Sequence, residues 1–204
     1  MMLISDIRQT SPGRLTVGLD DGSEVKTTLG VVTDMRLFTG RELDAEALEE
    51  LKIASVRALV KERAIEMLSR RAMSRAEMQR KLIDKGVDED TAEYCADWLC
   101  EHSLIDDESY AAAVARHYAA KGYGAGRVRA ELGRRGIARE LWEGALSAMP
   151  ENDGKIDKFI SARLADPNDR DEVRRVSQAL FRRGYSWDDI HSALERHRAE
   201  LYED

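Results

Sequence analysis

Cysteine, proline and aromatic side chains are scarce in this sequence, and each scarcity excludes something. There are two cysteines and three prolines, and aromatics make up 6% of the chain. Cys95 and Cys100 lie on one predicted helix, form no C-x-x-C pair and have no nearby His to complete a metal set. They read as two buried, reduced thiols rather than a disulfide or a zinc site. So few prolines, beside 35% charged residues, suit a soluble and mainly helical protein. No apolar run approaches the roughly 20 residues that a membrane span needs. Residues 1–10 carry Asp6 and Arg8 among isolated apolar residues, which is not the pattern of a signal peptide, so a cytoplasmic protein is expected.

Residues that do chemistry are also sparse. The four histidines are scattered, and His191 and His197 are spaced so that they point to different helix faces. Gly122, Gly124 and Gly126 fall between two predicted helices, with no preceding strand and no Lys-Ser/Thr after them. They read as a flexible helix–helix turn rather than a phosphate loop. Asp88-Glu89-Asp90 and Asp106-Asp107-Glu108 stand at helix starts, where carboxylates cap free amides. No catalytic residue, cofactor or metal site is expected, and the chain reads as a non-enzyme.

What the sequence does have is a repeat. The segment Ser74–Val87 reads as a short helix with both ends marked. Ser74 and Glu77 have capping-box spacing, Lys81 and Lys85 sit near the C-terminus, and Gly86 can leave in a left-handed conformation. The same ending recurs at Leu132-Gly-Arg-Arg-Gly136-Ile137 and at Leu180-Phe-Arg-Arg-Gly184-Tyr185. A basic helix, a glycine and an apolar residue at nearly constant spacing mark tandem repeats.

The expected fold is therefore mainly α: three tandem three-helix repeats in an elongated, curved array, with a small N-terminal β-hairpin or meander. Residues 1–44 form the meander and connector, with a tight turn at Asp20-Asp21-Gly22-Ser23. Val31–Leu43 reads equally as strand or helical turn. A linking helix capped by Asp44 covers 45–59 and runs on or breaks once into the first repeat, 60–106, with helices 60–71, 75–85 and 89–102. The second repeat, 107–153, has helices 108–120, 125–135 and 139–148. The third, 154–204, follows Pro150–Gly154 and has helices 155–165, 170–183 and 187–202. Asp169 with Glu172, and Ser186 with Asp189, repeat the capping-box spacing. Such units bury their ends against one another, and at 8–10 Å per packed helix the stack would span roughly 60 Å.

The formal charge is −7, which argues against a protein that coats nucleic acid through bulk positive charge. Charge is nevertheless segregated. Between Arg116 and Arg139 seven basic residues face one acid, Glu131, whereas the helix after Asp88 is acidic throughout. Capping and solvation account for about half of this pattern. The remaining candidate site is a periodic basic surface: Arg70, Arg71, Arg75, Arg80, Lys81 and Lys85 in the first repeat, Arg127, Arg129, Arg134 and Arg135 in the second, and Arg174, Arg175, Arg182 and Arg183 in the third. A periodic array suits a nucleic-acid backbone or a helical protein filament. Changing Arg127, Arg129, Arg134 and Arg135 together to Glu is expected to spare the fold and abolish activity.

Arg71, Ser74, Glu77, Lys81-Leu82 and Lys85-Gly86 resemble the R-x-x-S-x-x-E-L-x-x-K-L-x-x-K-G signature of the RecX family, regulators of the RecA recombinase. Leu104-Ile105-Asp106-Asp107-Glu108-x-Tyr110-Ala111 resembles that family's next segment. Gly124, Arg127-Val128, Glu131-Leu132 and Gly136-Ile137 resemble its second repeat, and Arg183-Gly184-Tyr185-Ser186 with Asp189-Ile190 its third. Met78 stands where leucine is usual, Ala125 where proline is common, and His102-Ser103 at a position often held by glycine. The resemblance implies a protein that lies in the groove of the RecA–single-stranded DNA filament, and the chain is expected to be a monomer. There it inhibits filament extension, ATP hydrolysis and strand exchange, and so modulates DNA repair, recombination and the SOS response. Weak direct DNA binding is a further implied property. Two other readings remain: a helical-repeat DNA-binding transcriptional regulator, and a helical scaffold for an unrelated protein.

Overall fold

The computed structural model describes residues 1–150 and 153–203. They divide into two compact units, Met1–Ile105 and Asp106 onward.

The first unit opens with an antiparallel sheet of β1 (Met2–Ser11), β2 (Arg14–Leu19), β3 (Glu24–Thr28) and β4 (Glu42–Leu43), in the order β3-β2-β1-β4. Gly13 and Gly22 turn the two hairpins at positive φ, a conformation that glycine adopts without steric cost. The ambiguous Val31–Leu43 stretch resolves into both alternatives. Leu29–Asp34 is a short helix, α1, capped by the Thr28 hydroxyl, and Glu42–Leu43 is the edge strand β4. Ile4, Val17, Leu19, Val31, Leu37, Leu43 and Leu51 form the buried cluster beneath the sheet.

Leu51 comes from α2 (Ala45–Arg70), which starts where expected, with the Asp44 carboxylate accepting from the Ala47 amide at 2.8 Å. It runs unbroken, so the linking helix and the first helix of the first repeat are one rod. Its N-terminal half packs on the sheet, where the Ser55 hydroxyl donates to the buried Thr27 hydroxyl at 2.8 Å. Its C-terminal half contributes Val60 and Ala64 to a second cluster with Met78 and Leu82 of α3 (Arg75–Ile83) and Cys95 and Leu99 of α4 (Glu89–Glu101). Ser74 and Glu77 form the reciprocal capping box in full, and Gly86 leaves α3 at φ +85°. Neither thiol is in a disulfide. Cys95 is buried as expected, but Cys100 is only half-buried. Burial pushes the Cys95 thiol pKa upward, which disfavours a reactive thiolate.

In the second unit, α5 (Asp107–Ala120) is capped by Asp106. It packs with α6 (Ala125–Arg134), a 3₁₀ turn at Arg139–Leu141 and α7 (Trp142–Ser147). Their buried residues are Ala111, Val114, Ala115, Val128, Leu132, Ile137 and Ala145. The last three-helix set is α8 (Asp153–Ser161), α9 (Arg170–Arg182) and α10 (Trp187–Glu203), around Ile156, Ile160, Leu164, Val176, Leu180, Tyr185 and Ile190. Residues 151 and 152 of the predicted connector lie outside the described residues. Helix α8 ends earlier than predicted because the chain turns at Ala162–Asp166 to seat Leu164 in the core. Glu172, spaced for a capping box with Asp169, reaches instead to the amides of Ala165 and Asp166 at 3.0 and 3.1 Å. Ser186 and Asp189 do form the reciprocal pair, at 3.0 and 3.1 Å.

Candidate interaction surface

The glycines between α5 and α6 are a docking face rather than a flexible turn. The Gly124 amide donates to the Arg183 carbonyl at 3.0 Å, and the Gly126 amide donates to the Gly184 carbonyl at 2.9 Å. The amide-rich start of α6 thus meets the carbonyl-rich end of α9, so each helix terminus supplies partners that the other lacks. A Cβ on Gly124 would stand 2.4 Å from the Gly184 oxygen, which is why the backbones can meet only if this position has no side chain.

This junction gathers four of the predicted basic residues, Arg127, Arg129, Arg182 and Arg183. The guanidinium groups of Arg127 and Arg183 lie 5.9 and 5.6 Å from the centre of the Tyr123 ring. Arg183 is also 4.8 Å from the Phe159 ring centre and donates to the Gly122 carbonyl at 3.4 Å. Arg127 and Arg182 are exposed, and neither has a carboxylate partner among the described residues. Arg174 and Arg175 lie nearer the start of α9, about two turns from Arg182. Arg174 pairs with Asp171 at 3.0 Å, and Arg175 donates to the Asp171 carbonyl at 3.2 Å.

Several other candidates are held by acids of their own unit. Arg134 and Arg135 both grip Glu131, at 2.6 and 2.8 Å, and Arg135 also donates to the Tyr110 hydroxyl. The Glu131 side chain is only 6% exposed. The Arg134 hydrogen bond, followed by that of Arg135, outweighs the cost of burial and lowers its pKa to about 2. The one acid in the basic stretch is therefore its anchor, a role that composition does not reveal. Turning Arg134 and Arg135 into Glu would set three carboxylates together, so the fourfold replacement expected to spare the fold would disrupt it. Arg129 pairs with Glu143 at 3.2 Å.

In the first unit, Arg75 is tied to Asp97 and to Glu93 (3.5 Å) on α4, Arg71 to Glu77 (3.2 Å) and Arg70 to Glu66 (2.6 Å). Arg80 donates to the Ala76 carbonyl at 3.3 Å. Lys81 is half-buried and Lys85 exposed. Lys85 borders a cleft with Arg63, Glu66, Met67 and Arg70. A feature not anticipated is the stacking of Arg57 and Lys61, one turn apart on α2, over Tyr94 at 3.9 and 4.8 Å, with Lys61 also 4.4 Å from Trp98. The shared four-residue spacing on α2 and α4 was the available signal.

No helix of the described residues is long and apolar enough to cross a membrane. Three family models match the chain: RecX first three-helix domain over residues 61–99, second over 106–146 and third over 162–194. A regulatory protein RecX from Xanthomonas axonopodis pv. citri is 37% identical over 136 residues, covering 65% of this chain and 83% of the relative. One from Vibrio parahaemolyticus is 33% identical over 137 residues, covering 66% and 88%. A crystal structure of regulatory protein RecX superposes with a TM-score of 0.77 at 26% identity, over 98% of this chain and 100% of the other. RecX from Lactobacillus salivarius, at 22% identity, shares the fold with a TM-score of 0.61, over 70% of this chain and 97% of the other. With three successive three-helix domains matched in order and relatives covered over most of their length, the chain belongs to the RecX family of regulatory proteins.

Proposed function

We propose that this chain is a non-enzymatic regulator of RecA recombinase that binds the RecA–single-stranded DNA filament and inhibits its extension, ATP hydrolysis and strand exchange. The relatives named regulatory proteins support this reading, as does the ordered set of three-helix domains. The carrying observation is the junction of α6 and α9, where Arg127 and Arg182 line one cavity and Arg127 and Arg183 both lie over the Tyr123 ring. The start of one repeat's middle helix joins the basic end of the next repeat's there, which sets arginines of two repeats side by side for a partner with regularly repeated subunits. Four separate buried clusters support four packing units, in which 1–44 and 45–59 share one cluster and 60–106, 107–153 and 154–204 each have their own, with α2 running on from 45–59 into 60–106.

Partner contact is assigned first to Arg127, Arg182, Arg183, Lys81 and Lys85, and next to Arg70, Arg71, Arg80, Arg129, Arg174 and Arg175. Arg75, Arg134 and Arg135 hold the protein's own carboxylates and are structural. The test is binding of labelled protein to RecA filaments assembled on oligo(dT) with a slowly hydrolysed ATP analogue, alongside bare oligo(dT) and duplex DNA at equal salt. Preference for filaments together with a falling RecA ATPase is expected. Equal binding to bare DNA with unchanged ATPase would point to a DNA-binding regulator instead.

A further inference from the structure

Two large aromatic side chains stand exposed beside the α6–α9 junction. Phe181, near the end of α9, is 51% exposed, and Trp187, the first residue of α10, is 55% exposed. They stack on each other with ring centres 5.0 Å apart and planes 19° apart. Phe181 borders a cavity of about 490 Å³ whose wall includes Ala125, Ala130 and Tyr185, with Arg127 and Arg182 at its rim. Among the described residues, no buried cluster uses either aromatic ring. Leaving two adjacent rings in water forgoes the stabilisation of burying them, so the fold itself does not account for the pair.

We propose that this aromatic pair and cavity form a protein-docking site that receives an apolar side chain flanked by carboxylates on the filament-forming partner. This deepens the reading given above and rests on it. The concavity admits a side chain, and the arginines without carboxylate partners at its rim complement acids beside that side chain. Tryptophan and arginine dominate protein-binding hot spots because they combine large contact area with directed hydrogen bonding. A DNA strand fits less well. Arg129 is already paired with Glu143, and the Asp189 carboxylate on the same wall is engaged by the Ser186 amide. The two remaining arginines would release few counterions. Each ring also already has one face covered by the other, which removes half of the stacking surface that a base would use.

The test compares full-length Phe181→Ala, Trp187→Ala and Arg182→Glu with the parent chain, each first checked for parental helicity and thermal midpoint. Arg182→Glu changes only a rim charge, so it remains informative if an aromatic variant folds poorly. Co-sedimentation with RecA filaments on oligo(dT) is read beside binding to bare oligo(dT). Filament binding weakened about tenfold or more, with oligo(dT) binding unchanged, is expected. Parental filament binding by the folded variants overturns the site. Equal loss on filaments and on bare oligo(dT) overturns the protein occupant in favour of a single strand. If the parent chain itself ignores filaments, the proposed function falls and the docking site falls with it.

Discussion

Gly184 and Arg127 meet so closely that a Cβ on Gly184 would stand 2.2 Å from the Arg127 backbone nitrogen. Gly184 also has φ +89°, so two separate constraints require glycine there. Gly86 ends α3 at φ +85° with nothing within 4 Å of its would-be Cβ. Gly86→Ala is therefore expected to cost only the left-handed penalty, about 1–2 kcal/mol. Gly184→Ala should cost clearly more, about 3 kcal/mol or above, because backbone must also move. Thermal unfolding of the two variants checks the order; equal losses would mean that the junction yields easily.

Acid should weaken the second unit through Glu131. Its pKa falls from an ordinary 4.5 to about 2 in the folded chain. A lowered folded-state pKa gives stabilisation that is complete above the unfolded value and lost as pH falls through the folded one. The loss is expected between pH 4.5 and about 2. Glu131→Gln should cost about 1.5–3 kcal/mol at neutral pH and flatten the acid limb in a pH series of urea melts.

Arginine replacements should sort by partner. Arg75→Ala removes a half-exposed pair with Asp97, so it should cost about 1 kcal/mol or less and leave filament binding unchanged. Arg127→Glu reverses a charge that has no carboxylate partner among the described residues. It should weaken filament binding by about tenfold or more without lowering the melting midpoint. Titration of both variants against filaments separates the two classes.

Leu132 is fully buried beside Val128 and Ile137. Leu132→Ala should cost about 2–5 kcal/mol through the cavity it leaves. Denaturant unfolding reads this directly, and any loss of inhibition should return at lower temperature, where the fold is restored.

The capping boxes at Ser74 and Ser186 and the glycine endings at 86, 136 and 184 were legible because each depends on a few consecutive residues. The helix order followed from the same signals. What escaped detection required distant segments to meet. Gly124 looked like a loose turn because its partner, Gly184, is sixty residues away. Glu131 looked like one acid among many bases, and only folding shows two of those bases closing on it. Glu172 kept a capping spacing but found better donors in the turn before its own helix. The basic candidates were visible as residue types, but which of them are already engaged by acids is a property of packing.

Because α2 is unbroken from Ala45 to Arg70, the sheet and the first three-helix cluster share one spine. Removing residues 1–44 would leave Leu51 and Ser55 facing water on a helix whose other half still carries Val60 and Ala64. Amide protection should then decline along the whole rod, since fraying at its start shortens the segment that holds the rest in register. The small sheet is thus part of the cooperative folding unit of the first repeat, and a fragment cut at a nominal domain boundary inside α2 would inherit half of each core.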